Sequence, residues 1–422
     1  MKASHGASLV IVAAGVALTG YGVMRFVDAR TLEKELHAGF VSRSSESAFE
    51  LEPHLAVSGS GALAVAWMGV AAGAGAADRI GVRFSNDDGK SWGPIQAMNV
   101  PGFYAADPML VSRADADVDL TWLAFRQNRA AGGDPYDMHV FTAGSRAGHF
   151  GAPLEVTETG GIYDKPFSIR GPKGRLMVLH RFATPSDGGF SLALANDDHT
   201  KFSRTTVVHG ATFAGALGSV CAEERGVRLF VTYVDPTAGI VLRVSDDGVT
   251  WSEGRQTIVS KADDHVAPEG PLCFVRGDEV LVSYGTSATP TDTSASAILD
   301  AVVVARSDDG GKTFASRVLL RDERALLMHP QLVRAPSGVL QMTYFSGKSE
   351  GDGEGAFRVM RASAPWPTRT LRSPVRFVSR RSAPAWVGDY VGLAWAGDRL
   401  YVATVDNARG TPHVVFMETA TE

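Results

Sequence analysis

The sequence predicts an all-β chain closed into a seven-bladed β-propeller. Three observations carry that reading: a short strand motif recurring at a period of about fifty residues, a polar turn after it, and a polar or proline-bearing dipeptide before it. The strand motif ends in an aromatic or its equivalent at Trp67, Phe125, His180, Tyr233, Tyr284, Tyr344 and Thr404, with successive spacings of 58, 55, 53, 51, 60 and 60 residues. Seven copies at that period predict seven blades of about four strands each. A composition with 45% hydrophobic residues, 46 glycines and only 21% charged residues suits many strands joined by many turns.

Residues 1–30 stand apart from this pattern. Residues 8–27, SLVIVAAGVALTGYGVMRFV, carry a single charge, Arg25, and meet the rough twenty-residue requirement for crossing a bilayer. No convincing small-residue cleavage site follows, and no cysteine is present for lipid attachment. The expectation is an uncleaved signal anchor holding the rest of the chain outside the cytoplasm, periplasmic or extracellular. A cleaved signal peptide and a secreted protein form the alternative, and Arg25 and Arg30 on the far flank run against the positive-inside rule. Residues 31–49 read as a polar stalk with a closing strand near residues 37–42, and residues 50–422 as the propeller.

Each blade opens on a dipeptide about 14 residues before its marker: Glu52-Pro53, Asp107-Pro108, Lys165-Pro166, Gly218-Ser219, Gly270-Pro271, His329-Pro330 and Asp389-Tyr390. Proline suits the first residue of a strand, where no ladder bond is lost, so these positions are placed at the start of each innermost strand. The last blade has room for three strands, and the segment after the anchor is the natural fourth, which would remove the free edges.

The turns read SNDDGKSW (85–92), VSDDGVTW (244–251) and SDDGGKTF (307–314). Serine and aspartate side chains bond nearby backbone N–H groups, glycine takes a positive φ, and the closing aromatic anchors the turn below. The residues assigned to this work are Ser85, Asp87, Gly89 and Trp92; Asp246, Gly248 and Trp251, with Val244 in place of the first serine; and Ser307, Asp309, Gly311 and Phe314. Degenerate copies end at Phe150, Phe202 and Trp366, the one at 195–202 (ANDDHTKF) still partly legible. The pattern S-x-D-x-G-x-[ST]-[WF] resembles the Asp box, or BNR repeat, of the sialidase-like superfamily.

That resemblance covers residues 50–422 and implies a propeller, with the six blades of sialidases as the alternative to seven. Sialidases of this superfamily hold the substrate carboxylate with three arginines and use a tyrosine nucleophile paired with a glutamate, plus an aspartate as acid/base. Here Arg126 and Arg181 follow adjacent markers, a third arginine has no evident place, and Glu52-Pro53-His54 stands where the family's Arg-Ile-Pro motif would fall. The strand starts EPHLAV, DKPF and GDYVGLAW are more similar to secreted bacterial BNR-repeat proteins.

Antiparallel order puts the Asp boxes, which join third to fourth strands, at one end, the bottom. The innermost strands start at the other, which also carries the longer loops 127–137, 285–300 and 346–355. Binding groups concentrate on such loops. The candidate catalytic carboxylates there are Asp107, Asp164, Glu269 and Asp389, since glycoside hydrolysis needs paired titratable groups. The candidate ligand-binding residues are Glu52, Arg126, Arg181, Tyr233, Tyr284, His329, Tyr344 and Tyr390. The leading expectation is a membrane-tethered propeller that binds a carbohydrate or a protein partner through this face. The alternatives are an exo-sialidase-like glycoside hydrolase and an accessory subunit of a membrane complex. A formal net charge of -5 argues against nucleic acid as a partner. No cofactor is expected, and no spacing specifies a metal site. Cys221 and Cys273 lie two residues after Ser219 and Pro271 in neighbouring blades, and a disulfide between them is expected.

Overall fold

The structure is a computed structural model that describes residues 39–41, 47–71, 77–115, 117–127, 136–158, 161–184, 187–209, 218–222, 228–235, 238–252, 256–259, 270–287, 299–321, 326–335, 337–348, 356–365, 375–376, 391–406 and 412–420. The expected anchor, residues 1–30, lies outside them. Most of the described backbone is strand. Pro172–Gly174 forms a single 3-10 turn, and no described helix is long and apolar enough to cross a membrane.

Strands consecutive in the chain pair antiparallel, in groups. After the short β1 (Gly39–Phe40), the first group is β2 (Ser47–Val57), β3 (Leu63–Ala71), β4 (Arg79–Ser85) and β5 (Gln96–Met98). The second is β6 (Tyr104–Ser112), β7 (Val118–Gln127) and β8 (Tyr136–Arg146), with β9 (His149–Phe150) and β10 (Leu154–Glu155) both on β8. The third is β11 (Ile162–Arg170), β12 (Leu176–Ala183), β13 (Gly188–Ala195) and β14 (Phe202–Val208). The fourth is β15 (Gly218–Ala222), β16 (Leu229–Asp235), β17 (Gly239–Ser245) and β18 (Gln256–Val259). The fifth is β19 (Leu272–Arg276), β20 (Glu279–Ser287), β21 (Leu299–Ser307) and β22 (Ala315–Arg321). The sixth is β23 (Leu326–Arg334), β24 (Val339–Lys348), β25 (Ala356–Pro365) and β26 (Val375–Arg376). The last is β27 (Gly392–Ala396), β28 (Arg399–Asp406) and β29 (His413–Ala420), with β1 as its outermost strand through Gly39↔Phe416 and Phe40↔Val415.

The first strands of the groups lie side by side. β2 packs on β6, β6 on β11, β11 on β15, β15 on β19, β23 on β27 and β27 on β2, while the fifth and sixth groups meet through β21 and β23. Single contacts join some groups into wider sheets: Ile162 pairs with Met138 in parallel, and Leu299 with Leu327.

The core lies between neighbouring groups, because both faces of each sheet are covered by the next. Ala64, Ile80 and Val82 of the first group pack with Leu120 and Trp122 of the second. Leu55 and Trp67 pack with Tyr401 and Phe416 of the last group. Trp67 needs a glycine beside it: a Cβ at Gly81 would stand 2.4 Å from its indole. This stacking explains the period seen in the sequence, since each repeat must present an apolar strand to two neighbours.

Candidate functional site

The two ends of the strands differ chemically. At one end, Ser85 Oγ accepts the Gly89 N–H at 2.9 Å and donates to Asp87 Oδ1 at 2.8 Å. The Asp87 carboxylate then accepts the Ser91 N–H at 2.8 Å and the Ser91 hydroxyl at 2.6 Å. Those hydrogen bonds, led by the Ser91 hydroxyl, hold Asp87 down at about 2. Ser307, Asp309, Gly311 and Thr313 repeat the arrangement, and the hydroxyls of Ser307 and Thr313 with the Thr313 N–H push Asp309 further down. Trp92 closes its turn edge-on to Phe416 at 5.2 Å, and Trp251 and Phe314 pack against the interior.

The middle turn corrects the sequence reading by one residue. Ser245 and Asp247, not Val244 and Asp246, make the bonds: Ser245 Oγ meets Asp247 Oδ1 at 3.0 Å and accepts the Gly248 N–H at 2.8 Å. Asp247 accepts the N–H groups of Val249 at 2.7 Å and Thr250 at 2.6 Å. Asp246 instead faces solvent, 3.1 Å from Arg228. This turn is one residue shorter between its serine and its glycine, so the register slips without losing the bonding.

At the other end one strained geometry recurs. Glu52 (φ 53°), Asp107 (φ 51°), Lys165 (φ 51°) and His329 (φ 48°) all adopt positive φ, and each precedes a proline. The pairing registers skip at the same places: between Leu51 and His54, Ala106 and Met109, Asp164 and Phe167, and Met328 and Gln331. These dipeptides are therefore bulges inside β2, β6, β11 and β23, which corrects their expected placement at strand starts. The reason is the same property of proline: with no N–H to offer, it fits where two residues leave the ladder. The glycine-bearing dipeptides behave differently, with β15 starting at Gly218 and β19 just after Pro271. Non-glycine residues at positive φ cost about 1–3 kcal/mol each, and such strain gathers at functional sites.

The bulged residues tie neighbouring inner strands together. Asp107 N donates to Glu52 Oε2 at 3.4 Å, Leu110 N donates to His54 Nδ1 at 3.1 Å, and Lys165 Nζ donates to Asp107 Oδ1 at 3.2 Å. Asp164 accepts the Lys165 N–H at 2.8 Å and Arg181 at 2.5 Å. Glu52 and Asp107 are each only 3% exposed. Burial pushes the His54 imidazole down to about 4, so it stays neutral and accepts its backbone bond.

Beside them, Arg126 places Nε at 2.9 Å and a terminal nitrogen at 2.8 Å from Asp137 Oδ2, with its guanidinium 4.6 Å over the Phe103 ring. His139 bridges Asp137 at 2.7 Å and Glu155 at 2.6 Å. Burial raises the Asp137 carboxyl, but the bonds from His139 and Arg126 outweigh it and leave it below its ordinary value. Half-buried rings of Tyr104, Phe125 and Tyr136 lie along the same strand ends, Tyr104 and Phe125 5.5 Å apart.

Of the sequence-predicted residues, Glu52, Asp107, Asp164 and Arg181 are brought together on the first three groups, with Arg126 at their edge. His329 occupies the equivalent bulge of the sixth group, edge-on to Phe345 at 6.3 Å. Glu269, Asp389 and Tyr390 lie outside the described residues. Tyr233, Tyr284 and Tyr344, expected among the ligand-facing groups, are instead interior rings at 0%, 2% and 1% exposure. They sit where one sheet stacks on the next, which leaves no face for a ligand. Asp137, His139 and Glu155 were not anticipated. The signal for the first two was the alternation Tyr-Asp-Met-His, which puts Asp137 and His139 on one face of a strand.

Between the fourth and fifth groups the link is covalent. Cys221 and Cys273 form a disulfide with their Cα atoms 5.7 Å apart, and Cys273 N donates to Ser219 Oγ at 3.1 Å. Among the described residues, no three His, Cys, Asp or Glu side chains are arranged to hold a metal ion.

No family model matches the chain, and no curated protein matches it. It shares its overall fold with a solved protein of unknown function from Dyadobacter fermentans, at 13% identity and a TM-score of 0.52, covering 91% of this chain and 98% of that one. It is also similar to an alpha-L-arabinofuranosidase of Fusarium graminearum in complex with arabinobiose (14% identity, TM-score 0.45, 90% and 96% of the two chains). A third similar structure is a Trypanosoma rangeli sialidase (13% identity, TM-score 0.47, 89% and 55%).

Proposed function

We propose that this chain is a seven-bladed, Asp-box β-propeller that binds a carbohydrate through the face carrying the bulged residues. The blades are the strand groups above, and the propeller occupies residues 50–422, with the closing strand Gly39–Phe40 supplied by the stalk that precedes it. Residues 1–30 anchor it, with the propeller outside the cytoplasm, and the Cys221–Cys273 disulfide supports an oxidising compartment.

The observation that carries the binding reading is the repeat of one strained geometry, at Glu52, Asp107, Lys165 and His329, on one side of the ring. The serines and aspartates of the turn end are accounted for by their own turns. The bulged residues are charged or titratable, nearly buried, and held at a backbone cost that folding alone would avoid by using glycine. The test is calorimetric titration of the detergent-solubilised full chain with an oligosaccharide panel. The expected result is saturable binding that Asp107→Asn weakens about tenfold or more in a protein that still folds at the assay temperature, with the melting temperature lowered by the lost Lys165 bond. Binding indifferent to that substitution would count against this face.

One observation favours glycoside hydrolysis as the second reading: Glu52 and Asp107, from adjacent inner strands, approach closely enough for the carboxylate of one to accept the N–H of the other. Two acidic residues on adjacent inner strands, with Lys165 bonded to the Asp107 carboxylate, suit acid/base work on a glycosidic bond. Release of reducing sugar that disappears in Asp107→Asn and Glu52→Gln is the result expected of an enzyme; binding without release leaves a lectin-like propeller.

A further inference from the structure

We infer that this face takes an uncharged sugar and discriminates against acidic ones. The inference rests on the carbohydrate-binding reading above and goes further by naming the ligand class.

The first support is the state of the cations. Recognition of a sugar carboxylate requires guanidinium or ammonium groups aimed at the ligand. Among the described residues of this cluster, each of the three cations already faces a carboxylate of the protein: Arg126 holds Asp137 through two nitrogens, Arg181 holds Asp164, and Lys165 holds Asp107. An acidic ligand that captured Arg181 or Arg126 would leave Asp164 or Asp137 without its cation in a partly buried position, and stranding a charge in that way is costly. Lys165 is the most protected of the three, bonded to an aspartate only 3% exposed.

The second support is the balance of charge. In the bonded cluster around the first three bulges, Glu52, Asp107, Asp137, Glu155 and Asp164 stand with Arg126, Lys165 and Arg181, the His139 imidazole lies between Asp137 and Glu155, and Arg79 at the neighbouring strand end is matched by Asp78. Carboxylates are in excess, so a further anion meets repulsion rather than a clamp. Hydroxyl groups meet the opposite condition, because an ionised carboxylate has about four acceptor sites and no donor.

The third support is apolar. Tyr104 lies opposite Phe125 in the β6–β7 ladder, Tyr136 follows on the adjoining strand opposite Gln127, and all three rings are half-buried. Tyr104 and Phe125 stand one residue pair beyond Ala105–Ala124 and close to the Asp107 bulge. Rings of this kind offer the flat apolar surface on which the C–H face of a sugar packs, while neighbouring carboxylates take its hydroxyls. Repulsion of acidic sugars then comes from Asp137 and Asp164, and hydroxyl recognition from Asp137 and Glu155, whose side chains are 29% and 36% exposed.

The experiment titrates the full chain in detergent with matched probes: galactobiose against digalacturonic acid, lactose against 3′-sialyllactose, and a glucosamine disaccharide as the cationic control. The expected result is at least one neutral probe bound about tenfold or more tighter than its acidic counterpart. In Asp137→Asn, which releases Arg126, the acidic probe should gain and the gap should narrow about tenfold. Tighter binding of an acidic or cationic probe by the wild type overturns the inference while leaving carbohydrate binding intact. No binding of any probe overturns both. A gap unchanged in folded Asp137→Asn overturns the role given to the Arg126–Asp137 pair. If that variant does not fold, the wild-type comparison decides alone.

Discussion

The turn end and the bulge end of this propeller spend polar residues in opposite ways. Within the turns the bonds are local: Ser85, Asp87, Gly89 and Ser91 satisfy one another across two to four residues, while Asp88 beside them holds Arg399 and Tyr401 of the last group at 3.0 and 3.3 Å. At the bulge end they run between repeats, with Glu52 meeting Asp107 across 55 residues, His54 meeting Leu110 across 56 and Lys165 meeting Asp107 across 58. A motif closed upon itself fixes a fold and has little chemistry left over. Charged groups that join one strand group to the next at the loop-rich end, with the partly exposed Asp137 and Glu155 beside them, are the ones a ligand can read.

The largest effect expected from testing this contrast is at Gly89. It has φ +80°, and a Cβ there would stand 2.1 Å from the Phe416 ring of the last group. Gly102 has nearly the same backbone, φ +82°, with nothing within 4 Å. Gly102→Ala therefore reports the conformational cost alone, about 1–2 kcal/mol, whereas Gly89→Ala adds overpacking and should lose roughly 3 kcal/mol or more. Urea unfolding of both variants checks this. Equal losses would mean that the turn acts through its backbone only and does not clamp the first group to the last.

The bulge end predicts a second, pH-dependent effect. Burial holds both His54 and His180 at about 4, well below the ordinary histidine value. The unfolded chain takes up these protons near pH 6.5, so the stabilising contribution is complete above that pH and is lost as pH falls toward 4. Each histidine contributes a slope of about 1.4 kcal/mol per pH unit inside that window. Unfolding midpoints at pH 7, 5.5 and 4.5 should decline in the wild type, and His54→Asn should remove part of the slope. A flat wild-type profile would break the assignment of His54 as a neutral acceptor.

The same contrast explains what the sequence could reveal. The turns at 85–92 and 307–314 were legible because their bonds close within eight residues, and the blade period because every repeat must bury a strand against its neighbours. The middle turn slipped by one because VSDDG reads in two registers, and only the bonding separates Asp247 from Asp246. The bulges were not legible: a proline before a strand and a proline inside a bulge look alike until the partner strand sets the register. The burial of Tyr233, Tyr284 and Tyr344 was hidden for a related reason. Both faces of each sheet are covered, so alternation does not say which aromatic meets a ligand. Asp137, His139 and Glu155 come from neighbouring strands whose pairing no short motif records.

The smallest predicted effect is at the turn end, where exposure screens the charges. Hydrogen bonds led by the Ser91 hydroxyl for Asp87, and by the Thr250 N–H for Asp247, hold both carboxyls at about 2. Their folded values are depressed, so their contribution is present above the ordinary carboxylate value near pH 4 and disappears as pH falls through about 2. The two ends thus occupy separate windows, the histidines from pH 6.5 to 4 and the turn aspartates from 4 to 2. Asp87→Asn and Asp247→Asn should flatten the lower limb of an unfolding-midpoint profile and leave the upper limb unchanged, with the effect shrinking in high salt. If they flatten the upper limb instead, the turns communicate with the bulges through the strands that join them, and the division of labour between the two ends fails.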